Sequence, residues 1–95
     1  MAYKLAYSNR ALETLTNIEN YLMERSVSGA RNVLNEIKHT AEILTNFPLI
    51  GTEISQREIR FQITRKYKYR LVYRVTDNAI QIMQIYHPRQ ESLEG

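Results

Sequence analysis

The strongest constraint on the fold is a change of hydrophobic period at Phe47-Pro48-Leu49-Ile50-Gly51. Before it, apolar residues recur at helical spacing; after it they alternate as in strands. Ala11, Leu15, Ile18 and Leu22 form one apolar stripe, with Arg10, Glu13, Asn17, Asn20 and Glu24 facing away, and Ser8 is placed to cap the helix. This predicts a helix over Asn9–Arg25. Ser26-Val27-Ser28-Gly29 interrupts the stripe, and Ser28 can cap a second helix on Ala30, Val33, Leu34, Ile37, Ala41 and Leu44, ending near Asn46. Pro48 cannot extend it, because it lacks the amide donor and disfavours helical geometry in Phe47. So short a connection makes the helices an antiparallel hairpin.

A short strand precedes the hairpin, since Tyr3, Leu5 and Tyr7 alternate with Lys4 and Ala6. Thr52–Arg57 reads as a polar connection. Ile59, Phe61 and Ile63 then alternate with Glu58, Arg60, Gln62 and Thr64, and Tyr67, Tyr69, Leu71, Tyr73 and Val75 alternate with Lys68, Arg70, Val72 and Arg74. Asp77-Asn78 suits a tight turn into a last strand, Ala79–Tyr86. There the alternation slips between Ile82 and Met83, which suggests a bulge or a strand covered on both sides. The tail from His87 to Gly95 is polar and reads as frayed. The order β-α-α-β-β-β describes an α+β fold, a helical hairpin packed on one face of a small antiparallel sheet. Residues 1–95 read as a single domain.

Charge is unevenly placed. The chain carries 13 basic and 10 acidic residues, a net charge of +3. Residues 57–74 hold seven of the basic residues against Glu58 alone, whereas residues 1–56 are nearly neutral. Burying unpaired cations beneath the helices is costly, so Arg60, Gln62, Lys68, Arg70 and Arg74 are expected together on the opposite sheet face, as a site for an anionic partner. The same charges also suit a solvated surface or a protein partner. Tyr67, Tyr69 and Tyr73 are expected in the core, and His39 on the surface.

Several chemistries are excluded. The chain has no cysteine and two histidines, His39 and His87, with no ligand spacing around them, so no metal site is expected. Its three glycines form no phosphate-binding loop, so no nucleotide or other small-molecule cofactor is expected. No run approaches a membrane span or a signal peptide, so the expectation is a cytoplasmic chain without a membrane partner. What remains is the basic sheet face together with Tyr86-His87-Pro88-Arg89. A guanidinium beside an imidazole can stabilise developing negative charge while the imidazole moves a proton, which is what RNA cleavage by its own 2′-hydroxyl needs.

The opening Met-Ala-Tyr with Ser8-Asn9-Arg10-Ala11-Leu12, the hairpin ending in Asn46-Phe47-Pro48-Leu49-Ile50-Gly51, the strand Tyr69-Arg70-Leu71-Val72-Tyr73-Arg74-Val75 and the closing Ile85-Tyr86-His87-Pro88-Arg89 resemble the RelE/ParE superfamily of type II toxin–antitoxin toxins. The resemblance spans nearly the whole chain and implies a cognate antitoxin as partner, one that lays a disordered segment along the toxin. It also implies one of two targets. RelE-like members cleave mRNA in the ribosomal A site with basic groups on the sheet face. By that likeness Arg60, Arg70, His87 and Arg89 are catalytic candidates, while Gln62 stands where a further basic residue would be and no tyrosine follows Arg89. ParE-like members poison DNA gyrase by binding, without catalytic residues, and the long helices, the His-x-Arg ending and the incomplete basic set resemble this branch more. On either branch Arg60, Gln62, Lys68, Arg70, Arg74, His87 and Arg89 are the expected target- or antitoxin-binding residues.

Overall fold

A computed structural model of the chain describes residues 2–55 and 58–87. Arg89 and the rest of the polar tail beyond His87 lie outside those residues. The elements are β1 (Lys4–Tyr7), α1 (Asn9–Met23), α2 (Val27–Asn46), β2 (Thr52–Ser55), β3 (Ile59–Ile63), β4 (Arg70–Val75) and β5 (Ala79–Tyr86). They form two helices on one five-stranded sheet ordered β1-β5-β4-β3-β2. The α+β hairpin-on-sheet architecture stands as the sequence predicts. The sheet, however, is mixed, for β1 runs parallel to β5.

That difference comes from β2, whose sequence reads as a polar connection. Consecutive elements here reverse direction. With six of them, the first and last strands would run opposite ways; β2 makes seven, so β1 and β5 point the same way and pair in parallel. Thr52-Glu53-Ile54-Ser55 gives little periodic signal because it is an edge strand with Ile54 exposed.

Local caps set the helix boundaries. The Ser8 hydroxyl accepts from Ala11 N (3.0 Å) and donates to Met83 O (2.7 Å), so it starts α1 and ties it to β5. Met83 is the extra residue of a bulge, since Val72 pairs with Gln84 and Tyr73 with Ile82. The bulge rephases β5, and Ile80, Ile82 and Ile85 all bury toward the helices. Ser26, rather than Ser28, caps α2: its backbone is extended (φ −162°, ψ 115°) and its hydroxyl accepts from Gly29 N at 3.1 Å. α1 ends at Met23, two residues short of the expected Arg25.

The core joins Ala11, Ile18, Val33, Ile37, Ala41 and Leu44 of the helices to Leu71, Tyr73, Ile80, Ile82 and Ile85 of β4 and β5. Among the described residues, no side chain of β2 or β3 belongs to it. The helices therefore cover one end of the sheet, and the helix-side face of β3 lies beyond them. Tyr67, expected to open the strand that ends at Val75, lies in a turn instead. Thr64 N donates to Tyr69 O (2.8 Å) and Tyr69 N to the Thr64 hydroxyl (2.9 Å), so the strand begins only at Arg70.

Candidate functional site

Arg70 of the basic segment is held against two aromatic rings. It pairs with Ile63 of β3 and Tyr86 of β5, all three on the face away from the helices. Its guanidinium carbon stands 4.6 Å from the Phe61 ring centroid and 5.6 Å from that of Tyr86, and Nη1 donates to the Tyr86 hydroxyl at 3.2 Å. Both rings offer their negative faces to the cation. Arg70 Nε is buried without a protein partner. The two rings and the Tyr86 hydroxyl thus hold the guanidinium in one orientation on the outer face.

Strand parity separates the other expected members. In β3, Arg60 lies opposite Tyr73 and Gln62 opposite Leu71, so both point to the helix side, not to the Arg70 face. This corrects the expectation that they share a face with Lys68, Arg70 and Arg74. The charge of Arg60 is tolerated there because backbone carbonyls solvate it. Nη1 donates to Gly51 O (2.9 Å) and Leu49 O (3.4 Å), and Nη2 stands 3.6 Å from the Glu53 carboxylate. Ile59, Phe61 and Ile63 correspondingly occupy the outer face, opposite Arg74, Val72 and Arg70. Arg74 does share that face, but four residues along the strand put it roughly 13 Å from Arg70. Lys68 lies outside β4 altogether, in the preceding turn at φ 63°, so strand parity does not set its face.

His87 turns to the helix side. Its ring meets that of Tyr69 edge-on, with centroids 5.1 Å apart and planes at 72°. Burial, with Tyr21 nearby, raises the Tyr69 pKa above its ordinary value, so this phenol stays protonated at neutral pH. Arg70 and His87 thus leave adjoining strand ends on opposite faces, and Arg89 lies outside the described residues. The arrangement can hold an anion. It does not bring Arg60, Arg70 and His87 around one point.

Residues outside the expected binding set also shape the site. Tyr73, expected as core alone, also uses its hydroxyl, donating to Pro48 O (2.8 Å) and accepting from Gly51 N (3.1 Å). Burial raises its pKa, against the Gly51 N–H and the Arg60 charge, which lower it. Gly51 is glycine for want of space, since a Cβ there would lie 2.5 Å from the Tyr73 hydroxyl and 2.7 Å from Phe61 O. Phe61 and Tyr86, the two rings on Arg70, carried one legible signal, an aromatic at alternating positions of a basic strand pair. Glu36 of α2 carried none, although it accepts from Lys66 N (2.7 Å) and Tyr67 N (2.9 Å) across the turn before Arg70.

A sequence model of the family described as the ParE toxin of the type II toxin–antitoxin system parDE matches residues 5–91. The chain belongs to the ParE toxin family. Solved structures agree with this membership in fold. The chromosomal ParDE system from P. aeruginosa superposes with a TM-score of 0.76 at 18% identity, covering 90% of this chain and 96% of the other. The intact E. coli RelBE toxin–antitoxin complex gives 0.67 at 21% identity, over 90% and 96%. The E. coli DinJ-YafQ toxin–antitoxin complex gives 0.65 at 14% identity, over the whole of both chains. No curated protein sequence gives a significant match. ParE membership and the likeness to both ParDE and RelBE structures place the chain in the RelE/ParE superfamily. Within this ParE-family fold, Arg70 on the outer face and the Arg60-supported turn at Pro48–Gly51 are separate features.

Proposed function

We propose that this chain is a toxin that inhibits DNA gyrase by binding it, and that a cognate antitoxin neutralises it in the cytoplasm. The observation carrying the choice of target is the dispersal of the cations. Arg60 is engaged by Leu49 O, Gly51 O and Glu53 on one side of the sheet, while Arg70 is stacked on Phe61 and Tyr86 on the other. A nuclease needs its acid, base and charge-stabilising groups around a single phosphate. A binding inhibitor needs only a surface. ParE membership over residues 5–91 supports the same branch, and the ParDE, RelBE and DinJ-YafQ structures support an antitoxin partner.

The competing reading is a RelE-like mRNA interferase, favoured by Arg70 alone, whose oriented guanidinium on the outer face would suit a phosphate. Purified protein assayed against gyrase supercoiling and against ribosome-bound mRNA separates the two. Inhibition of supercoiling with mRNA intact is the expected outcome. Cleavage in the A site with gyrase unaffected overturns the proposal.

A further inference from the structure

Residues 64–69, Thr-Arg-Lys-Tyr-Lys-Tyr, put three cations into one turn, and Arg65, Lys66 and Lys68 are all exposed. The turn closes without help from outside the chain. Thr64 N and Tyr69 O, Tyr69 N and the Thr64 hydroxyl, and the Lys66 and Tyr67 amides with the Glu36 carboxylate form four hydrogen bonds of 2.7–2.9 Å. Glu36 thus engages the Lys66 and Tyr67 backbone N–H groups, with the Lys66 ammonium also favouring its charge. Among the described residues neither Arg65 nor Lys68 meets a carboxylate. Lys68 also sits at φ 63°, where glycine or asparagine is at ease and lysine is strained.

We propose that the Thr64–Tyr69 turn is a preformed docking knuckle for an acidic peptide segment of a protein partner, with Glu36 as its positioning residue. A peptide fits better than a nucleic acid because the neighbouring aromatic rings are already engaged. Lys66 lies over Tyr67 (5.4 Å), His87 meets Tyr69, and Arg70 lies against Phe61 and Tyr86. Clustered cations beside the exposed Ile63 suit carboxylates interspersed with apolar groups. The turn is built before any partner arrives, which reduces the ordering cost of binding. The inference rests on the reading that the chain is held by a protein partner. It does not depend on which target the toxin reaches.

The test titrates the isotope-labelled full chain with a hepta-glutamate peptide, following the amide resonances of residues 65–69. Arg65→Gln with Lys66→Gln and Lys68→Gln is expected to weaken binding about tenfold or more, and added salt to weaken it further. Arg10→Gln with Arg31→Gln and Lys38→Gln makes the same charge change on the helices and should have little effect. The sign at Glu36 is decisive. If Glu36 is only a charge, Glu36→Ala removes a repulsive acid and tightens peptide binding; if it builds the turn, Glu36→Ala weakens binding, while Glu36→Gln, whose amide oxygen still accepts, weakens it less. Lys68→Gly should raise the melting midpoint and weaken binding together, which a purely structural residue would not do. Equal losses in the two triple variants overturn the proposal. So does tighter binding by Glu36→Ala, or an oligonucleotide of equal charge that binds the turn more tightly than the peptide. Should Glu36→Ala fail to fold, the comparison of Glu36→Gln with wild type, read with the Lys68→Gly result, decides in its place.

Discussion

Arg60 and Arg70 sit on neighbouring strands with the same charge, but what surrounds each side chain gives them different roles. Arg60 holds the Pro48–Gly51 turn through the Gly51 and Leu49 carbonyls, so Arg60→Ala should cost about 1–3 kcal/mol. Arg70 gains mainly from the Phe61 and Tyr86 rings, and Arg70→Ala should cost about 0.5–1 kcal/mol while weakening partner binding. Urea denaturation of both variants checks the order, and a larger loss for Arg70→Ala would refute it. Tyr73 combines both kinds of stabilisation, since its ring is fully buried and its hydroxyl bridges Pro48 and Gly51. Tyr73→Phe keeps the ring and strands the Gly51 amide, for an expected loss of about 1–3 kcal/mol. Tyr73→Ala also opens a cavity, for about 3–5 kcal/mol. Similar losses from the two would mean that the hydroxyl, not the ring, dominates.

Between elements, the Glu36 contact joins α2 to the β3–β4 turn and makes that junction sensitive to acid. Burial opposes the carboxylate charge, but the Tyr67 and Lys66 amides, the Thr64 hydroxyl and the Lys66 ammonium outweigh it and hold the pKa below the ordinary 4.5. The unfolded chain therefore binds this proton more readily than the folded one. Glu36 stabilises the fold fully above its ordinary carboxyl pKa, and that contribution is lost as pH falls through the lower folded value. Glu36→Gln removes the titration. Denaturation midpoints measured from neutral pH into the acid range should fall less for Glu36→Gln than for wild type, and parallel curves would exclude the linkage. The same junction explains why β4 starts late. Tyr67 and Tyr69 still pack against the core, as their alternation with Leu71 and Tyr73 suggests, but they do so from a turn closed by Thr64 and Glu36.

Across the whole molecule, stability is concentrated at one end of the sheet. β4 and β5 carry the strand side of the core, while among the described residues β2 pairs with β3 alone and adds no side chain to it. Hydrogen exchange should accordingly be slowest in β4 and β5 and fastest, among the strands, in β2; uniform protection would contradict this asymmetry. The sequence by itself determined the helical hairpin, its Ser8 cap, its end at Phe47-Pro48, the turn at Asp77-Asn78 and the slip in the last strand. These depend on near neighbours and on each residue's own hydropathy. Only the tertiary structure decided the fifth strand, the parallel β1–β5 pair and the face on which each cation lies. β2 has no buried side to give it a period. The inward-facing rule failed for Arg60 and Gln62 because no helix covers their end of the sheet, so inward there means a polar turn. Register rests on hydrogen bonds between distant segments, and a shift of one residue moves every side chain of a strand to the other face. Which arginine faces a partner and which holds a loop is therefore settled by pairing.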